Sequence, residues 1–196
     1  MVGMPKRFRS RRTLFVCIAL VVVAGGLTAP LYGSGGGTSS KKHVKIELHD
    51  AAGAEVGVVK LTQQGDTVIV RGETQGLTPG FHGFHVHAVG QCVAPFTSAG
   101  GHYNPSGVGH GSHAGDMPSL LVLDDGTAQA QFATDNYTID ELLDADGSAI
   151  IVHAAPDNFA NIPTRYQSTT ESVFGPDSAT LATGDAGARV ACGVVD

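Results

Sequence analysis

Residues 83–116 constrain this chain more than any other stretch. Five of its nine histidines, His85, His87, His102, His110 and His113, fall there, and Asp116 closes the set. The segment opens Gly-Phe-His-Val-His. Side chains two apart on a strand share a face, so Phe84 and Val86 can enter a core while His85 and His87 project together on the other side. An isolated His-x-His strand is commonly a solvated pair, but the continuation argues otherwise. After Cys92 comes a Gly/Pro/Ser-rich loop carrying Gly-Gly-His-Tyr-Asn-Pro at 100–105, then His110, His113 and Asp116. So much glycine leaves little apolar surface to order the loop, and metal coordination would supply the missing order. Neutral imidazoles with one carboxylate suit a closed four-coordinate zinc site. Imidazole alone suits copper and zinc equally.

The sequence around this stretch predicts an all-β domain. Val44, Ile46 and Leu48 alternate with Lys45 and Glu47, a second strand is expected near 56–61, and Gln63 to Asp66 turns it into a third near 67–73. Leu120 to Leu123, Asp124-Asp125-Gly126 and Thr127 to Thr134 read as a hairpin. A helical turn is expected at 139–143, a buried strand at 148–153 and a last strand at 188–195. Short strands without a long 3.6-residue period imply a sandwich or barrel. His43 and His49 read as surface residues and His82 as structural. The segment from His43 on is long enough for one domain burying roughly 70% of its unfolded surface.

Charge is divided unevenly along the chain. Lys6, Arg7, Arg9, Arg11 and Arg12 precede the first apolar run with no acid among them, whereas the remainder carries seven basic residues against eighteen acidic ones, a formal charge of −11. That balance excludes nucleic acid as a partner, and any anionic substrate would need a local positive site. The basic segment 1–12 followed by the apolar segment 13–32 has the form of a secretory signal or a retained signal anchor, with the domain on the outer side. Ser-Arg-Arg-Thr-Leu-Phe at 10–15 also has the form of a twin-arginine signal. Residues 33–42 form a Gly/Ser-rich flexible tether.

Gly-Phe-His-Val-His-x-x-Gly, the Gly-Gly-His-Tyr-Asn-Pro loop, His-x-Gly-Asp, a later Val-His-x-x-x-Asp and a terminal Gly-x-Arg-x-Ala-Cys-Gly together resemble the copper/zinc superoxide dismutase family, over residues 43–196. The resemblance implies an eight-stranded Greek-key β-barrel or sandwich with two long functional loops. It implies copper held by His85, His87, His102 and His153, zinc held by His102, His110, His113 and Asp116, and His102 serving both metals. Superoxide would be disproportionated to dioxygen and hydrogen peroxide, His102 relaying a proton and Arg189 drawing the anion to copper. Asp157 would accept N–H bonds from His85 and His110, and Gly187 would let the chain pass close beside Arg189. Cys92 and Cys192, at matching positions, are either a disulfide or two buried thiols. As a bond closing about 100 residues they would contribute roughly 4.7 kcal/mol in the chain-entropy picture and would suit an exported domain.

Two departures from the family pattern accompany it. Only two residues separate His110 from His113, a tight zinc loop, and the excursion 158–188 has Arg165 as its one basic residue before Arg189's strand. Arg165 reads as a solvated surface residue, so steering is expected to be weak. An extracytoplasmic copper-binding, buffering or chaperone module on the same fold is the alternative function. The oligomeric state is left open, a homodimer being one option.

Overall fold

The computed structural model describes residues 42–196. The expectations for 1–12, for 13–32 and for all but the last residue of 33–42 lie outside the described residues. Lys42 is already part of the domain, for its carbonyl accepts from Gln63 N at 2.9 Å and its ammonium pairs with Asp140. Among the described residues no helix is long and apolar enough to cross a membrane.

The alternating pattern of β1 (His43–Asp50) buries Val44, Ile46 and Leu48 and turns Lys45 and Glu47 outward. It pairs with β2 (Glu55–Gln64), which turns at Gly65, with φ 61°, into β3 (Thr67–Thr74). Two further segments, β4 (Gly80–His82) and β5 (Phe84–His87), are the halves of one strand divided by Gly83. Then follow β6 (Leu120–Val122), β7 (Ala128–Thr134), β8 (Ser148–His153) and β9 (Arg189–Val195). The main sheet runs β5-β8-β9-β1-β2-β3-β7, antiparallel throughout, and β4 pairs with β6. Counting β4 and β5 as one strand gives the expected eight.

Closure comes from two corners. Gly83 lets the β4–β5 strand exchange β6 for β8 as its partner; a Cβ there would stand 2.6 Å from Ala186 Cβ and 2.9 Å from His85 Cε1. The other corner is the Asp124-Asp125-Gly126 turn, where Leu123 N donates to Thr127 O at 2.8 Å and Gly126 has φ 81°. Its two arms do not ladder with each other as a flat hairpin would. β6 goes to β4 and β7 to β3, so the turn bends the sheet round on itself. The return of β9 to lie beside β1 gives the Greek-key connectivity.

All six residues of β8 are buried, unlike β1, because both of its faces are covered. Ile150 and Val152 join the main core with Ile46, Leu48, Phe84 and Val86. Ala149 and Ile151 pack instead on Phe96, Ala99 and Cys192, a second cluster beneath the loop that follows β5. The disulfide Cys92–Cys192, with Cα atoms 5.7 Å apart, fastens that loop to β9.

Two short helices complete the domain. The expected turn is α1 (Ile139–Leu142), started by a capping box between Thr138 and Glu141. The excursion 158–188 holds one that its Gly/Pro/Ser/Thr content had hidden, α2 (Ser178–Thr183), which the Asp177 carboxylate caps and Gly184 ends at φ 60°.

Candidate metal centre

β5 sends Phe84 and Val86 into the core and His85 and His87 to the opposite face, where both are fully buried. The last residue of β8, His153, arrives on the same side because β8 pairs with β5. The loop 88–119 then folds back along β5. Val86 N donates to Gly115 O at 2.9 Å, Tyr103 N to Val86 O at 2.8 Å and Gly115 N to Tyr103 O at 2.8 Å. These bonds set the loop in register against β5. Its glycine serves close approach: a Cβ on Gly115 would lie 2.4 Å from Val86 O.

Two clusters result. His85, His87, His102 and His153 form one, and His102, His110, His113 and Asp116 form the other, the potential ligand atoms of each lying within 4.8 Å of one another. His102 belongs to both. Its Nδ1 is 2.9 Å from Asp116 Oδ1 and 3.3 Å from His113 Nδ1, while its Nε2 is buried without a hydrogen-bond partner. On that side its ring centroid is 4.1 Å from that of His85 and 4.9 Å from that of His87.

The donor set fits metal ions. His85 Nδ1, His102 Nε2 and His110 Nδ1 are all buried and unpartnered, and each such atom costs about 1–3 kcal/mol unless something satisfies it. Asp116 Oδ1 stands 2.9, 3.2 and 3.3 Å from the Nδ1 atoms of His102, His110 and His113. Four atoms bound at 2.0–2.1 Å to a tetrahedral zinc are roughly 3.3–3.4 Å apart. The His110 contact is out of line for a hydrogen bond although its distance is short, as expected of lone pairs aimed at a common point. Asp116 Oδ2 is held by Gly111 N at 2.7 Å and His113 N at 3.0 Å.

The first cluster has its tautomers set from behind. His87 Nδ1 donates to Gly100 O at 3.0 Å and His153 Nδ1 to Gly187 O at 3.1 Å, which leaves their Nε2 atoms bare and 3.4 Å apart. Burial pushes His87 down to about 2 and His153 to about 3, so both are neutral at ordinary pH. Burial also lowers His85, against the pull of Asp157. His110 behaves oppositely: burial opposes its charge, yet the Asp116 and Asp157 carboxylates raise it to about 9. Burial likewise opposes ionisation of those carboxylates. Hydrogen bonds from His102 and His110 nevertheless hold Asp116 well below its usual range, and those from His110 and His85 do the same for Asp157.

Asp157 joins the two clusters. Its Oδ2 accepts from His85 Nε2 at 2.7 Å, and its Oδ1 from His110 Nε2 at 2.8 Å and Phe159 N at 2.7 Å. Arg189, half-buried, donates to Phe96 O at 2.5 Å and Gly100 O at 2.6 Å. The Gly100 carbonyl thus serves Arg189 and His87 together. Gly187 has a different reason from the one expected. A Cβ there would meet only Ala155 Cβ at an ordinary 3.5 Å, whereas its φ of 77° requires a left-handed residue. His82 is buried and structural, its ring nitrogens 2.6 Å from His153 O and 2.8 Å from Thr78 O. Arg165 is exposed and lies over the Tyr166 ring at 4.8 Å. A groove of about 620 Å³ opens beside the disulfide, lined by residues such as Lys45, His49 and Asp196, and contains none of the cluster residues.

One residue of the centre escaped the sequence altogether. Gly184 lies against the Asp157–His110 pair, and a Cβ on it would fall 2.0 Å from Asp157 Oδ1 and 2.3 Å from His110 Nε2. A glycine ending a helix is a readable signal, but α2 had first to be seen.

Residues 55–195 match the family described as copper/zinc superoxide dismutase. Curated relatives named superoxide dismutase [Cu-Zn] from Mycobacterium bovis and Mycobacterium tuberculosis are each 50% identical over 130 residues, covering 61% of this chain and 54% of the relative. The chain thus spans about half the length of these relatives. Among solved structures, a double mutant of a SOD-like protein from Bacillus subtilis is similar at a TM-score of 0.63 and 31% identity, covering 77% of this chain and 95% of that one.

Proposed function

The chain belongs to the copper/zinc superoxide dismutase family, and from that premise we propose that it disproportionates superoxide, two superoxide anions and two protons giving dioxygen and hydrogen peroxide. Copper would be held by His85, His87, His102 and His153, and zinc by His102, His110, His113 and Asp116. The observation that carries the reading is His102, whose ring gives one nitrogen to each cluster. When bound, copper supplies the one-electron couple that oxidises one superoxide and reduces the next.

The chain's own groups supply the rest. Gly100 O and Gly187 O keep the Nε2 atoms of His87 and His153 free of protons. His102 Nε2, buried and bare, is the atom placed to carry a proton to the reduced product. Arg189 offers a fixed positive charge that its two carbonyl partners hold in place. In a domain of strongly negative formal charge that local charge is what attracts a small anion. Every residue named comes from one chain, so the proposal needs no second copy.

The disulfide supports action outside the cytoplasm, where such bonds persist, with 13–32 as cleaved signal or retained anchor. The alternative, copper buffering on the same fold, needs the clusters but has no use for Arg189. Dismutation by the full chain loaded with copper and zinc, measured with metal stoichiometry, separates the two. His153→Ala should lose copper and activity together. A wild-type chain that holds both metals and is inert toward superoxide is a buffer.

A further inference from the structure

The structure assigns to Gly184 a positioning role: its missing side chain is the space in which Asp157 and His110 meet, so that α2 of the long excursion closes directly over the link between the two clusters. The inference rests on the metal reading above and goes beyond it, since Gly184 contacts no ligand atom in either cluster's donor set.

Three observations converge on this residue. First, a Cβ at 184 would lie 2.0 Å from Asp157 Oδ1, 2.3 Å from His110 Nε2 and 2.6 Å from His110 Cδ2. No real Cβ tolerates such distances, so both partners would have to move. Second, neither can leave freely. Asp157 is fixed by His85 Nε2 at 2.7 Å, His110 Nε2 at 2.8 Å and Phe159 N at 2.7 Å, and both side chains are fully shielded from solvent. Third, the backbone of Gly184 is itself pinned. Its N–H donates to Thr180 O at 2.9 Å, ending α2, and its carbonyl accepts from Asn158 N at 2.9 Å, one residue beyond Asp157. Asp185 adds a clasp: its Oδ2 accepts from Asn158 Nδ2 at 2.6 Å and from Thr180 Oγ1 at 2.8 Å. The end of α2 and the segment bearing Asp157 are thus one locked unit, which meets the zinc-side histidine at residue 184 and again at Leu181, whose carbonyl accepts from His110 N at 2.8 Å.

The damage from a side chain should be directional. It would separate Asp157 Oδ1 from His110 while leaving the His85 bond, on the other oxygen, in place. Zinc retention should therefore suffer more than copper retention. Loss of a hydrogen-bond partner behind a ligating histidine typically costs about 10–100-fold in metal affinity.

The test uses the full chain, stripped of metal and titrated with zinc alone and with copper alone. Gly184→Ala should weaken zinc binding about tenfold or more and copper binding by less than a third of that factor. Gly65→Ala is the control for backbone cost, because its φ of 61° is the same and nothing lies within 4 Å of the added Cβ; it should leave both affinities unchanged. In an Asp157→Ala background the further change Gly184→Ala should cost threefold in zinc affinity at most, since the link it obstructs is already gone and the space the carboxylate vacates lets the His110 ring turn aside from the added Cβ. If Gly184→Ala does not fold, recovery of a cooperative melting transition in the Asp157→Ala/Gly184→Ala chain supports the inference, and failure to recover overturns it. Wild-type zinc affinity in Gly184→Ala, or an undiminished tenfold loss in the Asp157→Ala background, overturns it too. A wild-type chain that binds no zinc refutes the metal reading itself, a result distinguishable from either.

Discussion

Arg189 and Cys192, on the same strand β9, hold the same loop: Arg189 through the carbonyls of Phe96 and Gly100, and Cys192 through its bond to Cys92. The charge proposed to attract the anion is therefore seated on a segment that the disulfide fastens. Replacing both cysteines by serine should lower stability by about 2–5 kcal/mol and also loosen Arg189. The expected outcome is a lower melting temperature together with a smaller kcat/KM for superoxide. An unchanged kcat/KM in the folded variant would show that the two carbonyls suffice.

Steering should depend on Arg189 and not on Arg165. Arg165 is exposed and rests on Tyr166, where its charge is solvated. Arg189→Ala should reduce kcat/KM at least about tenfold, within the range of on-rate gains attributed to local fields. Arg165→Ala should leave both the rate and its decline with ionic strength as they are. Stopped-flow measurements across a salt series decide between them.

Asp157→Ala removes both acceptor oxygens, so the bonds to His85 and His110 are lost together. Affinity for both metals should fall about 10–100-fold, read by competition with a chelator. A loss confined to one metal would mean that the two clusters are held independently.

The metal-free chain should be most stable near pH 6.5. His87 and His153 have folded values of about 2 and about 3, below the ordinary 6.5, so on acidification the unfolded chain takes up protons first and stability falls below pH 6.5. His110 has a folded value of about 9, above 6.5, so its contribution is present below 6.5 and is lost as pH rises through 9. The depressed carboxyls of Asp116 and Asp157 add to the acid side, contributing above their ordinary value of 3.8 and losing that contribution below it. Melting temperatures of chelator-treated protein at pH 5, 6.5 and 9 check this, and a monotonic trend contradicts it.

The histidines of 83–116 were legible from their type and spacing, whereas His153, Asp157 and Arg189 were named only through the family resemblance. Alternation in β1 placed Val44, Ile46 and Leu48 inward, and His85 and His87 had to share a face whatever lay above them. A strand's period is a local property of the backbone, and histidines crowded into one short segment stand out by their spacing. What lies between elements was not legible. The turn after β6 had the residues of a flat hairpin and became a barrel corner, because the partners of β6 and β7 come from β4 and β3.

The sequence by itself determined the strands, the histidine cluster of 83–116 and the glycine-rich loop that carries most of it. Only the tertiary structure decided which ring nitrogen is spent on a carbonyl and which is left bare, that one Gly100 oxygen serves both His87 and Arg189, and that Gly184 must lack a side chain for His110 to reach Asp157. Those facts depend on contacts between segments tens of residues apart. Hydrogen-bond direction and steric exclusion act over a few ångströms of space, and distance along the chain does not encode them.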